Sequence, residues 1–175
     1  RVWRSYQGGY TLDKLAGKKK PSDSHFPEDW IASVTPASNP GSNDELEGIS
    51  RVRIDERELL FTELIAQDPE YFLGEDHVAR YGQQLMVLVK LLDSAVRLQL
   101  QVHPTAQFAR SHLGSNSGKA EAYYILDVRD EVEKAFVYLG FQRPPDRAGL
   151  RRCIEDQDIE TMEGYFDRIR VKPGD

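Results

Sequence analysis

The sequence predicts a mainly β fold with added helices, which the residues alone suggest is an antiparallel sandwich with helical additions. Three observations lead there. Short apolar or alternating runs of strand length recur through the second half, each bounded by turn residues. Residues with helical spacing are segregated into two blocks, 55–81 and 144–165. The chain has 175 residues, 39% apolar and 30% charged, enough for one domain with its own core and unlike a disordered composition.

Residues 1–54 predict loop with short ordered patches. Gly8-Gly9, Lys18-Lys19-Lys20-Pro21 and the Pro/Ser/Asn/Gly-rich stretch from Thr35 to Glu47 punctuate it. The three lysines predict a solvated turn. Between these breaks, Ser24 to Ser33 carries Trp30 beside Glu28 and Asp29 and predicts a short strand against the core.

Residues 55–81 predict a helical insertion. Leu59, Leu60, Leu64 and Ile65 share one stripe, and Asp55 stands where an N-cap belongs. Pro69 interrupts the pattern, and Asp76–Tyr81 predicts a second short helix with His77 on its surface.

Residues 85–143 predict the main strands. Leu85 to Leu92 is nearly all apolar, as in a strand buried on both faces. From Val96 to His103 the pattern alternates: Val96, Leu98, Leu100 and Val102 on one face, Arg97, Gln99, Gln101 and His103 on the other. Pro104 closes that strand, and 105–118 predicts a short helix and a Gly/Ser/Asn loop. Lys119–Val128 and Glu133–Phe141 predict two further strands, the first with Lys119, Glu121 and Tyr123 on one face. Residues 144–165 predict a helical excursion with Leu150, Ile154, Ile159 and Met162 as its apolar positions, and 166–175 a last strand and turn. The sequence has no internal repeat.

Charge narrows the function classes. Lys and Arg total 23 against 29 Asp and Glu, a net charge of −6, which argues against a nucleic-acid partner because phosphate binding needs a basic face. No apolar run approaches the roughly 20 residues of a membrane span. The single cysteine, Cys153, allows no internal disulfide, predicts a buried structural thiol and suits a reducing, cytoplasmic setting. Oligomeric state is not fixed by these residues.

The sharpest chemical feature is Gln101 and His103, whose i, i+2 spacing turns an amide oxygen and an imidazole to the same side of one strand. Glu121, on the next predicted strand, would add a carboxylate. Such a donor set suits a divalent transition metal, zinc first and manganese, iron or cobalt as alternatives. Lys119, two residues before Glu121, would stand beside that ion. The other histidines do not complete the set, since His25 falls in a loop, His77 on a helix and His112 at a helix end. There is no Gly-rich phosphate loop between a strand and a helix, and no Gly-x-Ser-x-Gly elbow.

Several stretches, in order, resemble the type I phosphomannose isomerases (mannose-6-phosphate isomerases) of the cupin superfamily. They are Val2-Trp3 with Gly8-Gly9, Pro27 to Ser33 with its Glu28-x-Trp30, Leu88 to Asp93, Leu100-Gln101-Val102-His103-Pro104, Gly118 to Tyr124, and Arg168 to Asp175. The resemblance implies a cupin-type double-stranded β-helix, a jelly-roll barrel, holding a divalent ion, usually zinc, on Gln101, His103 and Glu121. It implies Lys119 as the catalytic contact or proton-transfer group, and Glu28, Trp30 and Lys90 as residues lining the substrate pocket. A further histidine and an arginine are expected beyond Asp175, so the resemblance implies the N-terminal part of a longer protein. The barrel is expected to be incomplete, the fragment inactive alone, and its last strand edge prone to association.

The implied reaction interconverts mannose 6-phosphate and fructose 6-phosphate by moving a proton between C2 and C1 through an enediol. The competing reading is a cupin-like carbohydrate-binding or regulatory module without turnover. An oxygenase-type metal cupin is disfavoured because Gln101 stands where a first imidazole would be.

Overall fold

The computed structural model describes all 175 residues, which divide into two compact units, Arg1–Gln101 and Val102–Asp175. All strand pairing is antiparallel and two-stranded: β1 (Glu28–Ile31) with β4 (Val89–Leu92), β2 (Arg51–Ile54) with β3 (Arg57–Leu60), and β5 (Phe136–Val137) with β6 (Ile169–Arg170).

The first unit is organised around β1, where the sequence predicts a strand. Its register places Glu28 opposite Leu92 and Trp30 opposite Lys90. The N-terminal stretch is stitched alongside by the Val2–Glu28 bridge and by bridges from Gly8 to both Ser24 and Ser94. Gly8 is required here by close approach, since a Cβ would lie 1.9 Å from the Asp93 carbonyl oxygen. Asp93 ties the seam together: its carbonyl accepts from Gly9 N–H at 2.9 Å and its carboxylate from Thr11 N–H at 2.6 Å. Thr11 lies in α1 (Tyr10–Leu15), a one-and-a-half-turn helix in a region whose sequence predicts loop. Lys18 ends up paired with Asp13 at 2.8 Å, so the first of the three lysines is anchored.

The helical block starts later than the sequence predicts. Residues 51–60 form the β2–β3 hairpin, and Asp55 occupies its turn with φ 53°, a left-handed conformation that Asp tolerates. Asp55 therefore caps no helix. The first helix is α2 (Phe61–Gln67), where Leu60 N–H donates to the Glu63 carboxylate at 2.8 Å, and Leu64 and Ile65 are buried. Pro69 begins α3 (Pro69–Leu73) rather than merely interrupting, because its missing N–H costs nothing in a first turn; Asp68 caps it by accepting from Tyr71 N–H. Next comes α4 (Glu75–Tyr81), with His77 half-buried and its Nε2 on the Gln84 carbonyl at 2.8 Å.

The long strands predicted over 85–143 are much reduced. Only Val89–Leu92 of the 85–92 run is paired, with Met86 at φ 59° and Val87 and Val89 more than half exposed, so the run is not buried on both faces. Residues 96–103 form no ladder. Leu98 and Leu100 are nevertheless half-buried while Arg97, Gln99 and Gln101 are exposed, so the period-two pattern persists in exposure without a partner strand; Val96 and Val102 are exposed. Of 119–128 and 133–141, only Phe136–Val137 is ladder-paired. Alternation marks a chain able to join a sheet, but only a neighbour's N–H and C=O groups make it a strand.

In the second unit, α5 (Ala106–His112) is capped by Thr105, whose hydroxyl accepts from Phe108 N–H. Helices α6 (Arg147–Glu155) and α7 (Ile159–Glu163) lie inside the segment predicted to be helical and start at Asp146 and Asp158, each accepting a backbone N–H. Leu150 and Met162 are half-buried, whereas Ile154 and Ile159 are exposed. Cys153 is buried on α6, its Sγ 3.5 Å from the Tyr165 hydroxyl. Arg143 closes the end of this region, donating to the Gly164 and Phe166 carbonyls and to Asp167. No helix is long and apolar enough to cross a membrane.

Candidate functional site

Apart from Gln101, the residues singled out by sequence fall into two clusters, one in each unit. In the first, Glu28 and Trp30 are two residues apart on β1 and so share a face, and Lys90 is the cross-strand neighbour of Trp30. Glu28 is 3% exposed. Its Oε1 accepts from the Tyr6 hydroxyl at 2.5 Å, and its Oε2 accepts from Trp30 Nε1 at 2.7 Å and pairs with Arg4 Nε at 3.1 Å. The Lys90 ammonium stands 3.6 Å from Oε1, a charge contact longer than a hydrogen bond. Burial pushes the Glu28 carboxyl up, but the Tyr6, Trp30 and Arg4 donors and the Lys90 charge outweigh it and hold the group below its ordinary value. Arg4 is also layered over the Trp30 ring at 5.0 Å.

The second cluster centres on Glu121. Its Oε2 lies 2.7 Å from His103 Nε2 and 3.1 Å from Lys119 Nζ, and the Tyr123 hydroxyl hydrogen-bonds the same carboxylate. The backbone explains the meeting: Lys119 N–H donates to the Pro104 carbonyl at 3.0 Å, laying residues 118–121 against 103–106. Gly118 permits this approach, since a Cβ there would sit 2.7 Å from Ala106 N. Partial burial raises the Glu121 carboxyl, yet the Tyr123 and Lys119 hydrogen bonds, with the Lys119 and His103 charges, bring it down to about 2. It is a carboxylate throughout the physiological range.

Gln101 is exposed at the end of the first unit, and His103, Lys119 and Glu121 belong to the second. His25 accepts no ligand role here: it stacks on Trp3 with Nδ1 on the Arg4 carbonyl, while His112 Nδ1 lies on the Phe108 carbonyl. No group of three or more His, Cys, Asp or Glu side chains gathers at one point. The metal question therefore rests on His103 and Glu121, an imidazole and a carboxylate already converging, with the Gln101 amide two residues away in sequence. The donor types suit zinc or a neighbouring transition metal. Their 2.7 Å separation is that of a direct hydrogen bond, and a bound ion would take the place of the proton they share.

Sequence reasoning missed Arg4 and Tyr6, which complete the Glu28 cluster. Nothing in a run of polar residues before Gly8 marks them, because their partner lies more than twenty residues on. Tyr123 was signalled only by its parity with Lys119 and Glu121.

The chain is similar to three curated proteins. The chain is 36% identical over 94 residues, 54% of its length, to GmuF of Bacillus subtilis, named as a probable mannose-6-phosphate isomerase, and covers 28% of that protein. It is 30% identical over 107 residues, 59% of its length, to the mannose-6-phosphate isomerase ManA of the same organism, covering 32% of it. A third Bacillus subtilis protein, YvyI, provisionally named a mannose-6-phosphate isomerase, is 28% identical over the whole chain, which covers 47% of it. The chain thus spans less than half the length of the curated relatives it matches. No protein-family model and no solved structure matches it.

Proposed function

We propose that this chain is part of a mannose-6-phosphate isomerase that interconverts mannose 6-phosphate and fructose 6-phosphate. The observation that carries the reading is the similarity to three proteins all named for that activity, one of them matched along the whole chain. The strand pairs are proposed to be parts of a cupin-type barrel, and the setting to be cytoplasmic.

The chemistry needs a proton moved between C2 and C1 of the open sugar, and charge stabilised on the oxygen of the enediolate. Within the second unit, His103 and Glu121 are the residues that would hold a divalent ion, zinc or another transition metal. When bound, it supplies a Lewis acid for the carbonyl and the developing oxyanion. Lys119 is the proposed catalytic group. Its side chain is 54% exposed yet fixed at one end by Glu121, so it can meet a sugar hydroxyl and donate or hold a proton there. Glu121, ionised and shared between His103 and Lys119, orients both. In the other cluster, Lys90 and Trp30 are proposed to face substrate, the ammonium supplying charge for an anionic sugar phosphate.

The test is His103→Ala in the protein that carries this chain. Isomerase turnover is expected to fall at least a hundredfold with the fold intact by circular dichroism. Full activity in the variant would refute the assignment.

A further inference from the structure

We propose that Glu28 is a positioning residue that acts through Lys90, setting the ammonium that meets the anionic substrate, rather than a residue that touches substrate itself; this rests on the isomerase reading.

Four observations carry it. First, the Glu28 side chain is 4% exposed while the Lys90 side chain is 27% exposed, so the cluster presents its cation outward and its anion inward. Second, both Glu28 oxygens are engaged: Oε1 by Tyr6, Oε2 by Trp30 and Arg4. Burial to 3% exposure, with a protein donor on each oxygen, keeps a sugar hydroxyl from it. Third, Arg4 is committed elsewhere, with Nη1 donating to the Trp3 carbonyl and to Asn39 Oδ1 and its plane over Trp30. Lys90, on the diagonal cross-strand position from Glu28, makes only a 3.6 Å charge contact and keeps reach toward solvent. Fourth, two cations, Arg4 and Lys90, share the one Glu28 carboxylate, and Arg4 reaches a second carboxylate, Glu47, through Asn39, so Lys90 is the cation least held by it. A carboxylate that holds a lysine without a tight hydrogen bond orders its long side chain and leaves its donors for a ligand such as a phosphate monoester.

The experiment compares the unaltered protein carrying this chain with Glu28→Gln, Lys90→Gln and the double variant. Steady-state kinetics with mannose 6-phosphate are measured, together with acetylation of Lys90 by acetic anhydride, read by peptide mass spectrometry. Lys14 and Lys119 serve as reference lysines. Glu28→Gln is expected to raise KM about tenfold with kcat within about twofold, and the double variant to match Lys90→Gln. Multiplying losses, or a fall in kcat at constant KM, would overturn the proposal, since Glu28 would then act independently or at the reacting atoms. If the unaltered protein does not turn over mannose 6-phosphate, the isomerase reading fails and acetylation still decides the coupling. Several-fold faster acetylation of Lys90 in Glu28→Gln, with Lys14 and Lys119 unchanged, upholds it; an unchanged Lys90 overturns it. Should Glu28→Gln fail to fold, Glu28→Asp, which keeps the charge but withdraws it by one methylene, is expected to show the same changes at smaller size.

Discussion

Removing the Glu28 carboxylate is expected to destabilise the unit Arg1–Gln101 more than any other single polar change in it. The group is ionised and buried, and Tyr6, Trp30, Arg4 and Lys90 all direct donors or charge at it. Breaking a buried ion pair from one side costs about 3–5 kcal/mol, because the partner is left charged and poorly solvated. Here Arg4 and Lys90 are 18% and 27% exposed and recover part of their hydration, which places Glu28→Ala near the lower figure, about 3 kcal/mol. Glu28→Gln keeps the shape but loses the charge and turns an NH2 toward at least one donor, for a cost of about 2 kcal/mol. The chain's two tryptophans, Trp3 and Trp30, both lie in this unit, so their fluorescence during urea unfolding reports it selectively. With a urea dependence of about 1–3 kcal/mol per molar, the Glu28→Ala midpoint is expected to fall by about 1–3 M. A loss under about 1 kcal/mol would refute the reasoning, showing that the cluster is a surface-like pair.

Three further outcomes follow from particular contacts. Gly8→Ala forces a Cβ onto the Asp93 carbonyl, and the Trp-fluorescence transition is expected to shift by at least about 1–3 kcal/mol; an unchanged midpoint would contradict the close approach. Glu121 has a folded-state pKa of about 2, below its ordinary 4.5, so the stability it contributes is present above about pH 4.5 and disappears as pH falls toward 2. A carboxyl carbon NMR titration of Glu121 with its midpoint near 4.5 would contradict the His103–Glu121–Lys119 geometry. Asp146→Ala removes the acceptor for Gly149 N–H at the start of α6 and is expected to cost about 1 kcal/mol, measured as the denaturant at which the buried Cys153 thiol becomes reactive; no change would mean that the cap is idle.

Local signals in the sequence were legible where they act alone. The Glu28–Ile31 strand lies where Trp30 and its Pro-bounded segment predict, and helices α6 and α7 lie inside the predicted block 144–165, although the residues that cap helices, Asp68, Thr105, Asp146 and Asp158, were not singled out from the sequence. Long-range pairing was not legible. The alternation from Val96 to His103 is as regular as any in the chain, but no neighbouring strand hydrogen-bonds it, whereas the short Arg51–Ile54 segment finds its partner across a two-residue turn. Asp55 shows the same limit from the other side: an Asp before a helical stripe also suits a left-handed turn, and the hairpin decides which role it takes. The parity of Lys119, Glu121 and Tyr123 survived as a side-chain cluster because it depends only on the local direction of the backbone. The Glu28 cluster needed Arg4 and Tyr6, and only the fold brings those to β1.

The central claim, that the protein carrying this chain is a mannose-6-phosphate isomerase, is tested most directly by following conversion of mannose 6-phosphate to fructose 6-phosphate with and without a chelator. The account predicts turnover that the chelator abolishes and added zinc or another divalent transition metal restores. A folded, metal-supplied protein that leaves mannose 6-phosphate unconverted would contradict it.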